Sequence, residues 1–362
     1  MNRREFLSAA GATMLAGTTA VHGEQAQADL TATTIPRWRG FNLPPKFGSG
    51  PKFREEDFVI MAEWGFDFAR LPMSYWLWAK PTDWLNIDEK ALADVDQAVE
   101  LGRQYGVHVN ICFHRIPGYC VNGREREPFD LFQGPEEGQQ KALDAAVHHW
   151  KTFAERYKGI PNRRVSFDLM NEPPFATSED RYVQVVRALV AAIREKDPNR
   201  LIVADGIDIG QTPVMGIVDL GLVQSTRGYL PKMVSHYTAT WVPKNEFESF
   251  ALPTWPMTDD RGQLWNRDKL KAELIQKWQP LVEKGVKIHV GEWGCYNKTP
   301  HAAALGWMSD LLSLWREAGW GFAMWNLAGD FGVLDSRRPD VTYEDFKGHK
   351  LDRKMLELMR AS

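Results

Sequence analysis

The chain has 362 residues, of which 44% are hydrophobic and 25% charged. Those proportions belong to an ordinary globular protein and exclude collagen, coiled coil and wholesale disorder. The net charge of −3 gives no electrostatic ground for a nucleic-acid partner, which calls for a basic face. Three cysteines, Cys112, Cys120 and Cys295, are too few for a disulfide framework and include no C-x-x-C pair.

In chain order, Met1–Ala28 reads as an export signal. Arg3 and Arg4 precede an uncharged stretch from Phe6 to Gly23, and Ala26-Gln27-Ala28 has the form of a cleavage site. Asn2-Arg3-Arg4-Glu5-Phe6-Leu7 resembles a twin-arginine signal, so the expected location is periplasmic or secreted, without membrane attachment once the signal is removed. Residues 29–362 then form one domain, because no linker, repeat or low-complexity tract interrupts them. Short apolar runs at Trp38–Leu43, Phe66–Leu71, Val107–Phe113, Val165–Leu169, Leu201–Ala204, Met233–Ser235, Lys287–Val290 and Gly321–Trp325 read as strands. Helical patterns fall between or after them, at Arg54–Trp64, Asp88–Tyr105, Gln139–Tyr157, Arg181–Lys196, Lys269–Glu283, Ala302–Ala318 and Lys350–Met359. Regular strand–helix alternation implies parallel pairing, and no G-x-G-x-x-G follows the first strand. The expected fold is therefore a single-domain α/β chain forming a (β/α)8 TIM barrel.

Chemistry in such a barrel sits at the C-terminal ends of the strands. The residues just past the apolar runs are Arg70, His114, Asn171-Glu172-Pro173, His236-Tyr237, Glu292 and Trp325. Two carboxylates facing one cleft, Glu172 and Glu292, are what glycoside hydrolysis requires: one protonates the leaving oxygen, the other attacks the anomeric carbon or activates water. A cation such as Arg70 beside one of them splits the pair into acid and nucleophile. Asp205 also ends a strand, but a turn residue before Gly206 explains it equally well. No metal or cofactor is implied: His148-His149 lacks the H-E-x-x-H setting of a zinc site.

These strand ends, together with Arg39-Gly40-Phe41-Asn42-Leu43, resemble glycoside hydrolase family 5, the cellulase family, over essentially the whole mature chain. Asn171-Glu172-Pro173 is similar to the family's Asn-Glu-Pro motif, and Gly291-Glu292-Trp293-Gly294 to the segment carrying its nucleophile. The resemblance implies a retaining mechanism with Glu172 as acid/base and Glu292 as nucleophile. It also implies that Asn171 binds the sugar 2-hydroxyl, that Arg70 holds Glu292, that His114 and His236 bind hydroxyls or carboxylates, and that Trp325 forms a subsite floor. The family often shows His-x-Tyr at strand six with the Tyr hydroxyl on the nucleophile; His236-Tyr237-Thr238 departs from this, so that either Tyr237 or Tyr296 supplies that hydroxyl or it is absent. The implied partner is a β-linked polysaccharide or oligosaccharide, acted on by a monomer. An endo-β-1,4-glucanase is the leading reading, with a β-1,3-glucanase, β-mannanase or exo-β-glucosidase on the same fold as alternatives. A barrel that binds carbohydrate without catalysis is disfavoured by the presence of both glutamates and Arg70.

The chain holds 15 Trp. Trp64, Trp150, Trp278, Trp307 and Trp315 fall in helical patterns and read as packing. Trp76, Trp78, Trp84, Trp241, Trp255, Trp265, Trp293 and Trp325 fall in loops and strand ends, where a flat ring suits the apolar face of a sugar; roughly half of them are expected only to staple a loop to the barrel, and Trp325 is the one expected individually to meet a sugar. The segments Arg115–Gly134 and Tyr237–Arg267 are long for strand–helix connections and are expected to shape a cleft.

Overall fold

The structure is a computed structural model describing residues 28–48, 50–122, 124–175, 177–243 and 252–362. The expected export signal, but for its last residue, lies outside the described residues.

Eight parallel strands close into a barrel. They are β1 (Arg39–Asn42), β2 (Phe68–Ser74), β3 (His108–Ile116), β4 (Val165–Asp168), β5 (Ile202–Asp205), β6 (Val223–Gly228), β7 (Ile288–Trp293) and β8 (Gly321–Met324). Each pairs with its neighbours in order, β1 pairs with β8, and β2 with β3. The outer layer includes α1 (Glu55–Glu63), α2 (Ala93–Tyr105), α3 (Glu136–Tyr157) and α4 (Glu179–Lys196). After β6 come a short α5 (Lys232–Ser235) and a segment that runs from α6 (Arg267–Leu270) through a π turn (Lys271–Ile275) and a 3-10 turn (Gln276–Trp278) into α7 (Gln279–Val282). Helices α8 (His301–Ala318) and α9 (Arg353–Arg360) complete the ring.

The strands are buried along nearly their whole length, because helices cover them outside and the barrel closes inside. Alternation then sorts the side chains. Phe113 points outward and stacks on Trp150 of α3 at 4.0 Å between ring centroids. Trp293 packs into the helix layer against Trp307 and Trp315 of α8. Much of the inward set is polar: Arg70, Asn110, Ser166, Asp168, Ser225 and His289 line a small internal cavity together with the apolar Phe68, Val203 and Val223. Several of these groups bond one another, as Asn110 Nδ2 does to Ser166 Oγ at 2.9 Å, which offsets the cost of burying them.

The sixth strand departs from the sequence expectation. Met233–Ser235 is part of α5, and the strand lies upstream at Val223–Gly228. Its sequence, Val-Gln-Ser-Thr-Arg-Gly, has no apolar pattern because its side chains are spent on hydrogen bonds. Gln224 bonds both the N–H and the C=O of Val214, and Arg227 reaches the side chains of four residues. Between β5 and β6 lie only a four-residue helical turn (Ile207–Gly210) and a 3-10 turn (Met215–Leu220), so no long helical pattern announces the crossover.

Glycine makes room where backbones crowd. A Cβ on Gly291 of β7 would lie 2.4 Å from Ser225 Oγ and 2.9 Å from Arg227 Nη1. Gly291→Ala is expected to displace Arg227 and destabilise the barrel by about 1–3 kcal/mol, the usual cost of overpacking. Thermal unfolding measures this, and an unchanged melting temperature would contradict the packing described.

Candidate active site

The strand register brings the charged residues together. Asn42 of β1 and Arg70 of β2 are direct neighbours, as are Arg227 of β6 and Glu292 of β7. The register slips at Gly291–Glu292, a bulge that re-aims Glu292 at the barrel mouth. Glu172 follows β4 with a left-handed φ of 50°, a conformation that costs a non-glycine residue energy. The surroundings hold it there: its N–H donates to Asp205 Oδ2 at 2.8 Å and its carbonyl accepts the Tyr119 hydroxyl at 2.5 Å.

Two buried guanidiniums organise the mouth. Arg70 donates from Nε to Asp168 Oδ2 at 2.7 Å, from Nη1 to Asn42 Oδ1 at 3.0 Å and to Glu292 Oε1 at 2.5 Å, and from Nη2 to Asn171 Oδ1 at 2.8 Å. Arg227 donates from Nε to Glu172 Oε1 at 3.0 Å and from Nη1 to Asp205 Oδ1 at 3.0 Å. Its Nη2 donates to Asp205 Oδ2 and, at 2.8 Å, to Asn171 Oδ1. Asn171 Oδ1 therefore accepts from both arginines, which fixes its amide with Nδ2 as the donor end. That Nδ2 lies 3.4 Å from His114 Nε2.

The protonation states follow from this wiring. Burial, then the charges of Arg70, Arg115 and Arg227, hold the His114 imidazole well below its ordinary range, so it is neutral. With Nε2 accepting from Asn171, the network assigns the proton to Nδ1, which is buried and faces Glu292 Oε1 at 3.8 Å. Burial opposes the charge on both arginines, but Asp168 and Glu292 around Arg70, and Asp205 and Glu292 around Arg227, outweigh it. The Glu172 carboxyl is raised well above the ordinary carboxylate range, first by burial and next by the negative charge of Glu292; Arg227 opposes this. Tyr229, just past β6, donates its hydroxyl to Glu292 Oε2 at 3.3 Å. Burial, and then Glu292, push its phenol far above its usual value, so it remains a donor.

Of the residues singled out in the sequence, Glu172, Glu292, Arg70, His114 and Asn171 form one bonded network. Trp325, half-buried just past β8, borders it edge-on to Phe47 and near His114. His236 stands outside the network: its ring packs edge-on to Tyr229 and Phe331, and neither glutamate is among its partners. The hydroxyl on Glu292 comes from Tyr229, not from Tyr237 or Tyr296. With β6 ending at Gly228, His236-Tyr237 lies beyond α5, and Arg227-Gly228-Tyr229 occupies the strand end where His-x-Tyr was sought. Arg227, Tyr229 and Asp168 are the members sequence reasoning missed, and Asp205 is the one it left open, with its strand-end position as the signal. The three cysteines are buried free thiols.

Several of the loop and strand-end tryptophans pack or pin their loops. Trp78, Trp84 and Trp293 are buried in the core. Trp76 is held by Glu127 and by the guanidiniums of Arg115 and Arg126, and Trp255 bonds Asp310 on α8. Trp265 packs against the core beside Lys269. Trp241 is 59% exposed and joins Tyr296 and Phe331 beside Tyr229. Trp325 packs on the same cluster, so an aromatic band passes Phe47, Trp325, Phe331, Tyr296 and Trp241.

A closed parallel barrel with two glutamates at its mouth, each on its own guanidinium, defines the protein as a barrel hydrolase of the glycosidase class. Comparison with known proteins agrees. Residues 27–330 match the model of the cellulase family, glycosyl hydrolase family 5. A glycoside hydrolase of known crystal structure superposes with a TM-score of 0.84 at 34% identity, covering 90% of this chain and 99% of that one. Endoglucanase C of Acetivibrio thermocellus is 26% identical over 313 residues, 80% of this chain and 88% of the relative. A probable glucan 1,3-beta-glucosidase A of Emericella nidulans is 28% identical over 158 residues, 42% of this chain and 37% of the relative. The chain belongs to glycosyl hydrolase family 5 and is an O-glycosyl hydrolase. Helix α9, beyond the matched segment, is part of the same barrel, with Met355, Leu356 and Met359 fully buried.

The raised Glu172 carboxyl sets a pH-dependent stability. A carboxyl that binds its proton more tightly in the folded state favours folding while protonated, and that advantage is lost as pH rises through the folded value. Glu172→Gln is therefore expected to raise the melting temperature by about 2 °C or more at alkaline pH, the shift about 1 kcal/mol gives in a domain of this size. The gain should vanish near about pH 4, where both states are protonated. A gain independent of pH, measured by thermal unfolding across that range, would contradict the raised value.

Proposed function

We propose that the chain is a configuration-retaining endo-β-1,4-glucanase working by double displacement. The observation that carries this reading is the unequal environment of the two glutamates. Glu292 Oε1 is bonded to Arg70, Oε2 takes only a longer bond from Tyr229, and Glu172 sits where burial and Glu292 favour its protonated form. In this reading Glu292 Oε2 attacks the anomeric carbon while Glu172 gives its proton to the leaving glycosidic oxygen. The bond from carbon to that oxygen breaks and a glycosyl ester on Glu292 forms. Glu172, now a base, takes a proton from water as that water attacks the same carbon and releases Glu292. Asn171 Nδ2, aimed by the two arginines, is the donor for the sugar 2-hydroxyl, and Trp325 is the floor under the ring being cleaved.

A polymeric rather than a single-sugar substrate is supported by the aromatic band. One ring suffices for one sugar; a band from Phe47 to Trp241 provides stacking faces beyond the scissile bond. The β-1,4 linkage is supported by the endoglucanase likeness running over most of both chains, where the 1,3-glucosidase likeness spans less than half of either. Action in the periplasm or outside the cell belongs to the same proposal, on the twin-arginine pattern of residues 1–28.

Glu172→Ala and Glu292→Ala should each lower turnover of β-1,4-glucan by at least about 10³-fold while leaving the melting temperature near that of the parent. Proton NMR of the fresh product should show the β-anomer first. In a panel of β-1,4-glucan, β-1,3-glucan, mannan and xylan, the β-1,4-glucan should give a series of oligosaccharides. The α-anomer first, single sugars as the initial product, or faster cleavage of another polymer would overturn the corresponding part of the reading.

A further inference from the structure

Arg227 ties the two halves of the site together. It is fully buried, bonds Glu172 through Nε and clamps Asp205 with both terminal nitrogens, and its Nη2 lies 3.8 Å from Glu292 Oε1. Asp205 in turn accepts the N–H of Glu172. The backbone and the carboxyl of Glu172 are thus anchored to one Arg–Asp pair. The pair is built in: a Cβ on Gly210 would come within 2.8 Å of Arg227 Cγ, and Gly291 leaves room for Nη1.

A guanidinium only donates hydrogen bonds, and it does not lose its proton in a protein. Glu172 Oε1, at 3.0 Å from Arg227 Nε, must therefore accept in both protonation states. Glu172 Oε2 has no partner among the described residues and is not sealed from solvent, the side chain keeping 13% of its surface exposed. We propose that Arg227 is a positioning residue for the reaction: it fixes Oε2 as the oxygen that carries and delivers the proton of Glu172, and holds that assignment through both halves of the cycle. The inference rests on Glu172 acting as the acid/base.

The charges facing Glu172 set the direction of the test. Glu292 of β7 and Asp205 of β5 present negative charge, and Arg227 of β6 presents positive charge. Arg70, Asp168 and the neutral His114 reach it only through Glu292 and Asn171. Removing Arg227 leaves the acidic groups unopposed, so Glu172 should hold its proton to higher pH.

The experiment compares R227K, R227Q and the double variant R227Q/D205N, which leaves no unpaired buried charge at Asp205. Two substrates are used: a cello-oligosaccharide, whose leaving group needs a proton, and a dinitrophenyl β-cellobioside, whose leaving group does not. Folding is verified by melting temperature. The oligosaccharide should lose about 10²-fold in kcat/KM and the dinitrophenyl substrate about tenfold less than that. In the two Gln variants the alkaline limb of the oligosaccharide profile should move up by about one pH unit or more, further in R227Q than in the double variant. Equal losses on both substrates with an unmoved or lowered limb, in a variant that keeps its melting temperature, would overturn the proposal and leave Arg227 a structural pin. E172Q is the control for the parent reading. It should lose the oligosaccharide reaction and keep most of the first step on the dinitrophenyl substrate; oligosaccharide turnover like that of the parent would sink the acid/base assignment itself, whatever the Arg227 variants do.

Discussion

Two guanidiniums buried at one end of the barrel, Arg70 and Arg227, meet at a single oxygen, Asn171 Oδ1. Around them stand four carboxylates, Asp168, Asp205, Glu172 and Glu292, so positive charge is outnumbered in a region largely closed to water. Removing either arginine would leave buried anions uncompensated, a strongly destabilising condition. The shape of the mouth answers to this constraint. Strand ends converge where the forks need acceptors, Gly291 leaves space for Nη1, and the chain at Glu172 takes a left-handed turn that Asp205 and Tyr119 hold in place.

The surplus of negative charge is what differentiates the two glutamates. Each arginine already serves an aspartate, Arg70 through Asp168 and Arg227 through Asp205, and what remains is divided unevenly. Glu292 receives a short bond from Arg70 and a further hydroxyl from Tyr229. Glu172 receives one bond from Arg227 and faces both Glu292 and Asp205. A polar barrel interior is a costly way to fill a core, and here the same groups that fill it aim the two glutamates, a trade of stability for function in the proposed reading.

Much of this was legible in the chain itself. A strand buried on both faces reads as a short apolar run, and a charged residue that ends such a run stands out; Arg70, Glu172 and Glu292 were visible on that ground alone. Strand β6 was invisible for the opposite reason. Its inward residues Ser225 and Arg227 and its buried Gln224 are polar, so hydropathy favoured the apolar Met233–Ser235, and with the strand went Arg227 and Tyr229. Which tryptophans pack and which stay open has a geometric reason. Neighbouring strand residues point to opposite faces, so Trp293, next to the cleft residue Glu292, is buried among the helices. A loop indole that bonds a carboxylate, as Trp76 does with Glu127 and Trp255 with Asp310, pins its loop. No local sequence pattern separates those from Trp241.

The central claim is that Arg70 and Tyr229 prepare Glu292, and not Glu172, to bond the sugar. A 2-deoxy-2-fluoro-β-cellobioside with a dinitrophenolate leaving group, whose fluorine slows release of the glycosyl-enzyme, tests this directly. Digestion and mass spectrometry of the inactivated protein should find one fluoroglycosyl group on Glu292, released on incubation with an acceptor sugar. A label on Glu172, or time-dependent turnover with no covalent adduct, would contradict the account.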